Sequence, residues 1–301
     1  MKILKKWQRK VRRLRWPESL RHMSKVKDQL VLVDAGKKIS IVWEEQIICE
    51  AVSIRSLRNT RTGRVKIIAS GPSIREIPAD YLLSEPENNL YVNGAFNITE
   101  GAPFSGLYMA TDTDFISQRF DIVADVLKSD CFFFTTSDGI ATICDMSLSA
   151  LKNSKCRIVI FDIANRGYLK PKVSWEIFRQ VHRDNDEIIF HPDLPNIGLS
   201  VNAEHGVFCG RTVTFRALQV ALHLGFSEIF IFGMDLGGSR FYNEGSNAQP
   251  SNLDKDFYRS IAPSFDICQH PVVKGKALIA NCSMHSRLPE ESLQKVDWRT
   301  I

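Results

Sequence analysis

Small polar residues follow an apolar run at residues 65–73, where the sequence reads VKIIASGPS. The run predicts a strand that is buried on both faces, and Gly-Pro-Ser predicts a sharp turn into a helix. Gly71 lets a ligand approach the main chain, and Ser73 offers a hydroxyl beside the free N–H groups of the helix start. Open α/β sheets bind nucleotide phosphates at such turns, although many strand-to-helix turns carry glycine for geometry alone.

Three later strands end in the same kind of residue, which favours a ligand site. The strands predicted at residues 90–93, 107–110 and 131–134 run into Asn93-Gly94, Thr111-Asp112-Thr113-Asp114 and Thr135-Thr136-Ser137-Asp138-Gly139. Helical segments fit between them, and a strand at 228–232 runs into Gly233, Met234 and Asp235. Alternating strands and helices predict an α/β fold with a Rossmann-like, doubly wound, mostly parallel sheet. Such sheets bind ligands at the carboxyl ends of their strands.

Asp112-Thr113-Asp114 is an Asp-x-Asp sequence at one of these strand ends. In many nucleotide-sugar transferases such a pair binds Mn²⁺ or Mg²⁺. The same spacing often arises by chance, so Asp112 is also a candidate for a polar substrate contact or for a base that accepts a proton.

The charge of the chain is unevenly distributed. The formal net charge is +5, yet residues 1–27 contain eleven Lys or Arg and one acid, which leaves 28 bases against 33 acids in the remainder. Within residues 1–16, helical spacing places the apolar residues on one face and the bases on the other, which predicts an amphipathic helix on an anionic membrane surface. A solvated basic arm and a nucleic-acid-binding arm are the alternatives. Trp7 and Trp16 favour the membrane, so we expect no nucleic-acid partner, and Pro17 ends the predicted helix.

The cysteines and the apolar runs indicate a compartment. Seven cysteines form an odd set without a Cys-x-x-Cys pair, and several lie in apolar runs, which is typical of a reducing environment. No apolar run reaches the roughly 18 residues that a transmembrane helix needs, and the N-terminus lacks the apolar region of a secretory signal. We therefore expect a cytoplasmic protein.

The sequence divides into three parts. We expect residues 1–28 to be a basic membrane-associating segment, residues 29–64 a small peripheral hairpin outside the main sheet, and residues 65–301 a nucleotide-binding α/β domain. Residues 164–206, interrupted by Pro and Gly, are predicted to be a lid or acceptor-binding insertion, with a structural excursion as the alternative. The regular pattern returns with a long amphipathic helix that begins near Arg211 and ends at Gly225.

Three blocks of sequence resemble a known family: IIASGPSIREIP, LYVNGAF and CGRTVTFRALQVALHLGFSEIFIFGMDLGGSRFY. As an ordered set they are similar to the lipopolysaccharide inner-core transferases that add a third Kdo (3-deoxy-D-manno-octulosonic acid) residue. More distantly they resemble the bacterial family 42 sialyltransferases. The resemblance covers residues 65–285 and includes the Ala-Pro of residues 262–263. The first 60 residues lie outside it.

The resemblance implies a GT-A-variant fold like that of the family 42 sialyltransferases, with a CMP-activated ulosonic acid as donor and neither metal nor other cofactor. It implies donor contacts from the strand ends and the long helix start: Ser70, Gly71, Pro72, Ser73, Asn93, Thr111, Arg211, Thr212, Gly233, Asp235, Phe241 and Tyr242. In the sialyltransferases a histidine after the Ala-Pro segment is the general base. His270 is the nearest counterpart, so His270 and Asp112 are the expected catalytic residues. Val213 and Thr214 stand where the sialyltransferases have Ser-Gly.

The resulting hypothesis is a transferase that moves Kdo, or a related ulosonic acid, from a CMP donor to a lipid A–core acceptor. The basic segment would hold it at the inner face of the bacterial inner membrane, on the anionic inner leaflet. Two alternatives stay open on sequence grounds: a pterin-type pyrophosphokinase, since another Gly-Pro-Ser family performs that reaction, and a non-catalytic nucleotide-binding scaffold.

Overall fold

A ten-stranded, mostly parallel sheet forms the centre of the computed structural model, which describes residues 17–23, 29–100, 104–242 and 253–301. The strand order is β1-β2-β3-β8-β7-β6-β5-β4-β11-β12, and β9 pairs with β10 in a separate antiparallel ribbon. Only the β1–β2 and β2–β3 pairs of the large sheet are antiparallel. The α/β, doubly wound fold predicted from the sequence is confirmed.

The strands of both sheets, in chain order, are β1 (Leu30–Asp34), β2 (Lys38–Trp43), β3 (Gln46–Ser53), β4 (Arg64–Ile68), β5 (Asn89–Val92), β6 (Leu107–Met109), β7 (Phe132–Thr135), β8 (Arg157–Ile160), β9 (Ile188–Phe190), β10 (Gly198–Ser200), β11 (Glu228–Phe232) and β12 (Leu278–Asn281). The helices, in chain order, are α1 (Ala79–Leu83), α2 (Thr113–Gln118), α3 (Phe120–Leu127), α4 (Ser137–Lys152), α5 (Trp175–Val181), α6 (Val213–Leu224), α7 (Leu253–Asp256), α8 (Ala262–Asp266) and α9 (Pro271–Lys276). A π-helical turn, Phe257–Ile261, joins α7 to α8.

Two hydrophobic cores lie on opposite faces of the sheet. Because side chains alternate along a strand, Val65 and Ile67 of β4 enter one core while Ile68 enters the other. Helices α5, α6, α8 and α9 cover the first face, and α1 to α4 cover the second. Both faces of the central strands are therefore buried, which explains why those strands are continuous apolar runs.

Helix α6 begins and ends at the residues that its sequence indicates. The Thr212 hydroxyl oxygen accepts a hydrogen bond from the Thr214 N–H and caps the first turn. Gly225 follows the last residue with φ of +100°, a left-handed conformation that favours glycine. Most of the helix is buried in the first core, so α6 is a fixed support for the groups at its N-terminus.

The segment 29–64 continues the main sheet, and the prediction of a hairpin outside that sheet is wrong. Strand β3 pairs in parallel with β8, with Val52 beside Val159, and so extends the sheet by three strands. Leu30, Ile41 and Trp43 of these strands are buried in the second core. Without β3, strand β8 would present an open edge, so burial and edge pairing both favour the extension.

The segment 164–206 is packed along most of its length. Phe178 of α5, Ile189 of β9 and Leu199 of β10 are buried in the first core. Gln219 of α6 ties this layer to the helix: its side-chain oxygen accepts hydrogen bonds from Ser200 N–H at 3.0 Å and Phe208 N–H at 2.8 Å. The segment thus forms a layer over the sheet. A role as a lid or an acceptor site stays a prediction.

Residues 113–127 form two helices, α2 and α3, because the backbone at Arg119 leaves helical geometry with φ of −116° and ψ of 45°. The predicted membrane-binding helix at residues 1–16 lies outside the described residues. Within the described ranges, no helix is long and apolar enough to cross a membrane.

Candidate functional site

A cavity of about 990 Å³ opens at the carboxyl ends of the parallel strands. It lies where the strand order changes direction, since β4 has β5 on one side and β11 on the other. Doubly wound sheets bind ligands at such a point because the loops on the two sides diverge. Its volume is at the upper end of the roughly 300–1,000 Å³ that small-molecule sites occupy.

The loop after β4 is bound directly to the loop after β11. Gly71 N–H donates to the Gly233 carbonyl oxygen at 2.8 Å, and a Cβ atom at Gly71 would lie 2.5 Å from that oxygen. The Asp235 carboxylate accepts hydrogen bonds from the Ser73 N–H at 3.2 Å and the Ser73 hydroxyl at 2.9 Å. Glycine is therefore required at position 71 by packing, quite apart from any ligand.

Asn93 presents an unpaired acceptor at the cavity. The residue has φ of 49°, a left-handed conformation that asparagine tolerates better than most residues. Its Oδ1 atom is buried and has no hydrogen-bond partner among the described residues. Since buried polar atoms are normally paired, a bound donor group is the natural partner for this oxygen.

Tyr242 closes the cavity beside Asn93. The Tyr242 ring packs against Gly94, where a Cβ atom would overlap the ring and its hydroxyl. The Arg119 guanidinium lies over the same ring, 5.5 Å from its centroid. Tyr242 is thus packed between Gly94 and a cation, with its ring in the cavity wall.

Asp112 stands at the cavity and begins helix α2. Its Oδ1 accepts hydrogen bonds from Asp114 N–H at 2.9 Å and Phe115 N–H at 3.4 Å. The carboxylate therefore caps the helix. Among the described residues, no cluster of three or more His, Cys, Asp or Glu side chains is arranged to hold a metal ion.

An arginine that the sequence analysis did not select lies in the same wall. Arg216, in the first turn and a half of α6, donates hydrogen bonds to the Thr111 hydroxyl and, at 2.7 Å, to Cys209 Sγ. Burial alone would raise the pKa of the Cys209 thiol, but the Arg216 charge and hydrogen bond, together with the Arg211 backbone N–H and the Arg166 charge, lower that pKa overall. The sequence could have indicated Arg216, because it is a basic residue one helical turn after the Thr212 cap and so lies near the start of α6.

The structure does not bring His270 to the cavity. Its Nδ1 accepts a hydrogen bond from Val272 N–H at 3.3 Å, and the side chain caps helix α9 away from the cavity wall. The expectation that His270 is the base is therefore wrong in geometry: the 262–270 segment packs on the first core, and its last residue starts another helix.

Another histidine lines the cavity instead. His22 belongs to the turn Glu18–Met23, and its Nδ1 lies 3.1 Å from the Ser19 carbonyl oxygen. Lys172 N–H donates to the same oxygen at 2.6 Å, and Met23 is buried. These contacts hold the segment against residues 167–172. No local pattern in the sequence predicts this long-range contact.

The structure collects most of the predicted donor contacts and separates a few from the cavity. The cavity wall includes eight of them, together with Asp112: Ser70, Gly71, Asn93, Thr111, Arg211, Thr212, Gly233 and Tyr242. Four lie behind the wall, namely Pro72, Ser73, Asp235 and Phe241. Asp235 supports the Ser73 turn, and Phe241 N–H donates to the Ser70 carbonyl oxygen at 3.1 Å. We therefore correct these four to residues that shape the turn.

Comparison with known proteins gives the following relatives. Residues 48–281 match the family model described as 3-deoxy-D-manno-octulosonic acid transferase WaaZ. The chain is 28% identical over 225 residues to a probable 3-deoxy-manno-octulosonic acid transferase of Escherichia coli K12, covering 69% of this chain and 74% of the relative. A relative of the same description from Salmonella typhimurium LT2 is 28% identical over 213 residues, covering 66% of this chain and 74% of the relative.

Two solved structures are similar at low sequence identity. The MAf glycosyltransferase from Magnetospirillum magneticum AMB-1 has a TM-score of 0.46 and 14% identity, over 81% of this chain and 35% of that chain. The sialyltransferase CST-II, solved with a trisaccharide acceptor and CMP, has a TM-score of 0.37 and 13% identity, over 77% of this chain and 89% of that chain. At these scores neither likeness bears on the arrangement of the site.

The supporting role of Asp235 predicts a specific pH dependence. Burial raises the pKa of its carboxyl, against the hydrogen bonds from Ser73, which lower it. The folded protein thus binds this proton more tightly than the unfolded chain does, so ionisation costs stability as pH rises from the ordinary value near 4. Asp235→Asn keeps an acceptor for Ser73 and removes the charge.

We expect Asp235→Asn to be at least as stable as the wild type at pH 7, with a difference that shrinks as pH falls towards 4. Asp235→Ala should be less stable by about 1–3 kcal/mol, because the buried Ser73 donors lose their acceptor. Urea unfolding of the three proteins between pH 4 and 7 measures both effects. An advantage of Asp235→Asn that grows on acidification would contradict this account.

Proposed function

Because this chain belongs to the family of 3-deoxy-D-manno-octulosonic acid transferases WaaZ, we propose that it transfers Kdo from CMP-Kdo to the inner core of lipopolysaccharide. The family match carries the glycosyltransferase activity and the sugar. It spans residues 48–281, which include the ends of β4, β5, β6 and β11 around the cavity. The nucleotide, the acceptor position and the route of the proton are our proposals.

The arginines of the cavity wall suit this donor, and they share that wall with five aspartates. CMP-Kdo carries two anionic groups, the phosphate diester and the ulosonate carboxylate. Side chains of arginine are concentrated in the wall around the predicted donor contacts: Arg119, Arg166, Arg211, Arg216 and Arg240. Guanidinium groups bind phosphate and carboxylate with paired hydrogen bonds. We place CMP-Kdo between the Ser70–Gly71 turn and the start of α6. The Asn93 side-chain oxygen would accept a hydrogen bond from a hydroxyl or amino group of CMP-Kdo.

The reaction needs a base and a stabilised leaving group. An acceptor hydroxyl oxygen forms the new bond to the anomeric carbon of Kdo, while the bond from that carbon to the phosphate oxygen breaks and CMP leaves with the electron pair. The hydroxyl proton passes to a base. Fixed N–H donors and guanidinium groups stabilise the charge that develops on the phosphate. We propose that these groups act without a metal ion.

His22 is our choice of base, and Asp112 is placed to bind the acceptor. Nδ1 lies 3.1 Å from the Ser19 carbonyl oxygen and Nε2 lies 3.4 Å from the Gly167 carbonyl oxygen. We propose that Nδ1–H donates to Ser19 and that the weaker Nε2 contact gives way when substrate binds, which leaves the Nε2 lone pair for the proton. Imidazole as a class titrates closest to neutral pH, which suits proton abstraction there. Asp112 already uses Oδ1 to cap α2, and its Oδ2 can accept a hydrogen bond from a sugar hydroxyl.

The two alternatives for the function are not supported by the family match. A pterin-type pyrophosphokinase needs Mg²⁺, and a non-catalytic scaffold needs no base at the cavity. Metal dependence and turnover therefore separate these alternatives from the transferase.

The proposed function is tested by transfer with and without a chelator. We expect the full chain to add one Kdo residue from preformed CMP-Kdo to lipid A–core acceptor, at a rate that excess EDTA leaves unchanged within about twofold. CMP should raise the melting temperature without Mg²⁺, and AMP and UMP should not. Mass spectrometry of the acceptor detects the product. Abolition of transfer by EDTA would refute the metal-free mechanism, and absence of transfer from any ulosonate donor would refute the function.

The choice of base is tested by a matched pair of histidine variants. His22→Asn should lower kcat by about 100-fold or more, since a general base contributes roughly 10²–10⁴-fold, while CMP binding stays unchanged. His270→Asn should transfer Kdo at the wild-type rate, because asparagine also caps α9. Single-turnover transfer measures both variants. Equal rates for His22→Asn and wild type would exclude His22.

Attachment to a membrane is proposed for the basic segment. The described chain begins at residue 17, beside the cavity, and eleven of the bases lie within residues 1–27. Deleting residues 1–16 spares the Glu18–Met23 turn. We expect the full chain to sediment with phosphatidylglycerol vesicles at low salt and not with phosphatidylcholine vesicles, and the deleted chain to stay in the supernatant with both. Sedimentation of the deleted chain with the anionic vesicles would contradict this assignment.

A further inference from the structure

The Arg216 guanidinium is held on two sides by uncharged or weakly acidic groups. One terminal nitrogen donates to the Thr111 hydroxyl, and the other donates to Cys209 Sγ at 2.7 Å. Thr111 follows strand β6, and Cys209 precedes helix α6, so two separate elements fix the plane of the side chain. A guanidinium fixed in this way is oriented before any ligand arrives.

The third nitrogen of Arg216 is left over. Its Nε atom is buried and has no hydrogen-bond partner among the described residues. Leaving a buried donor unpaired is costly, and the cost is larger for charged groups. Arg216 itself lines the cavity, so an anion bound there lies next to its charge.

The charge of Arg216 is also unbalanced. Two other arginines of the cavity wall have carboxylate partners: Arg119 pairs with Asp121 at 3.0 Å, and Arg211 lies 4.0 Å from Asp256. Within the described part of the chain, no carboxylate forms an ion pair with Arg216. The group that comes nearest to a counter-ion is the Cys209 thiol, because the Arg216 charge and hydrogen bond help to lower the pKa of that thiol. A mobile anion would complete the site.

We propose that Arg216 binds an anionic oxygen of the donor, and that Cys209 positions its guanidinium for that contact. The inference rests on the proposed function and names a residue within it. Two donor groups share the required chemistry, the phosphate of CMP and the carboxylate of Kdo. Arg216 contacts the ligand, whereas Cys209 acts only through Arg216.

Affinities for three probes locate the anion: CMP, cytidine and free Kdo, each titrated by calorimetry into the full chain. Arg216→Gln removes the charge, and Arg183→Gln, on the surface away from the cavity, is the matched control. If the phosphate is the partner, Arg216→Gln weakens CMP about 10- to 100-fold and leaves cytidine unchanged. If the carboxylate is the partner, the affinity of Arg216→Gln for free Kdo falls by that factor and its affinity for CMP stays at the wild-type value. Arg183→Gln should match the wild type for every probe.

The outcomes separate this inference from the function beneath it. Wild-type protein that binds neither CMP nor Kdo would overturn the proposed function and this inference with it. Wild-type protein that binds them, with Arg216→Gln unchanged for all three probes, would overturn the inference alone. Arg216→Lys keeps the charge but lacks the planar fork that donates to Thr111 and Cys209 from two separate nitrogens. It should bind the anion with intermediate affinity, and it replaces Arg216→Gln if that variant does not fold.

Cys209 is tested by a readout that a purely structural role would not move. Cys209→Ala should weaken the anionic probe about 3- to 10-fold while the affinity for the uncharged probe cytidine stays constant, because only the guanidinium loses its support. Cys209→Ser, which keeps a hydrogen-bond acceptor, should restore the wild-type affinity for the anionic probe. Equal loss for charged and uncharged probes, or no loss in Cys209→Ala, would remove Cys209 as the positioning residue.

Discussion

The carboxyl ends of β4 and β11 are joined by backbone contacts that leave no room for side chains. Ala69 N–H donates to the Phe232 carbonyl and Gly71 N–H to the Gly233 carbonyl, both at 2.8 Å. A Cβ atom at Gly233 would lie 2.5 Å from the Ala69 carbonyl oxygen. The cavity opens beside this junction, at the carboxyl ends of the parallel strands. Every group in the wall is therefore placed relative to this one close approach, and Asp235 with Ser73 fixes its outer side.

The cavity balances charge in a way that fits a dianionic ligand. Its wall mixes arginines with aspartates, and several of the pairs are already satisfied within the protein. Paired charges contribute little net attraction for a ligand, since their fields largely cancel at a distance. The Asn93 oxygen and the Arg216 Nε are different because both are buried and neither has a hydrogen-bond partner in the described part of the chain. The Asn93 oxygen can only accept a hydrogen bond, and the Arg216 Nε–H can only donate one. A ligand that matches both atoms has a hydrogen-bond donor group and an anionic group.

Local signals predicted the parts of the fold that are local. Apolar runs such as residues 65–69 located the parallel strands, and Thr212 and Gly225 located the ends of α6, because strand burial and helix caps depend on nearby residues. The pairing of β3 with β8 joins residues 52 and 159, and nothing in either segment specifies the partner. The sequence did not indicate that His22, and not His270, lines the cavity, because His22 is placed by a long-range contact between Ser19 and Lys172 that forms only in the folded chain. The sequence correctly placed Asp235 at the end of β11, but its side chain bonds Ser73 and does not line the cavity. The alternation of side chains along a strand does not determine the direction of a side chain in the loop that follows.

The position of residues 17–23 connects the charge asymmetry to the reaction. The body of the chain has an excess of acids, so an anionic surface repels it over the Debye length of about 8–10 Å. The first 27 residues, in contrast, carry a net positive charge. His22 and Met23 of the turn Glu18–Met23 line the cavity, so the basic segment is tethered to the body of the chain at a turn beside that cavity. In the proposed attachment, an anionic surface held by the basic segment is tethered at the cavity, which would present a sugar acceptor carried on that surface near His22.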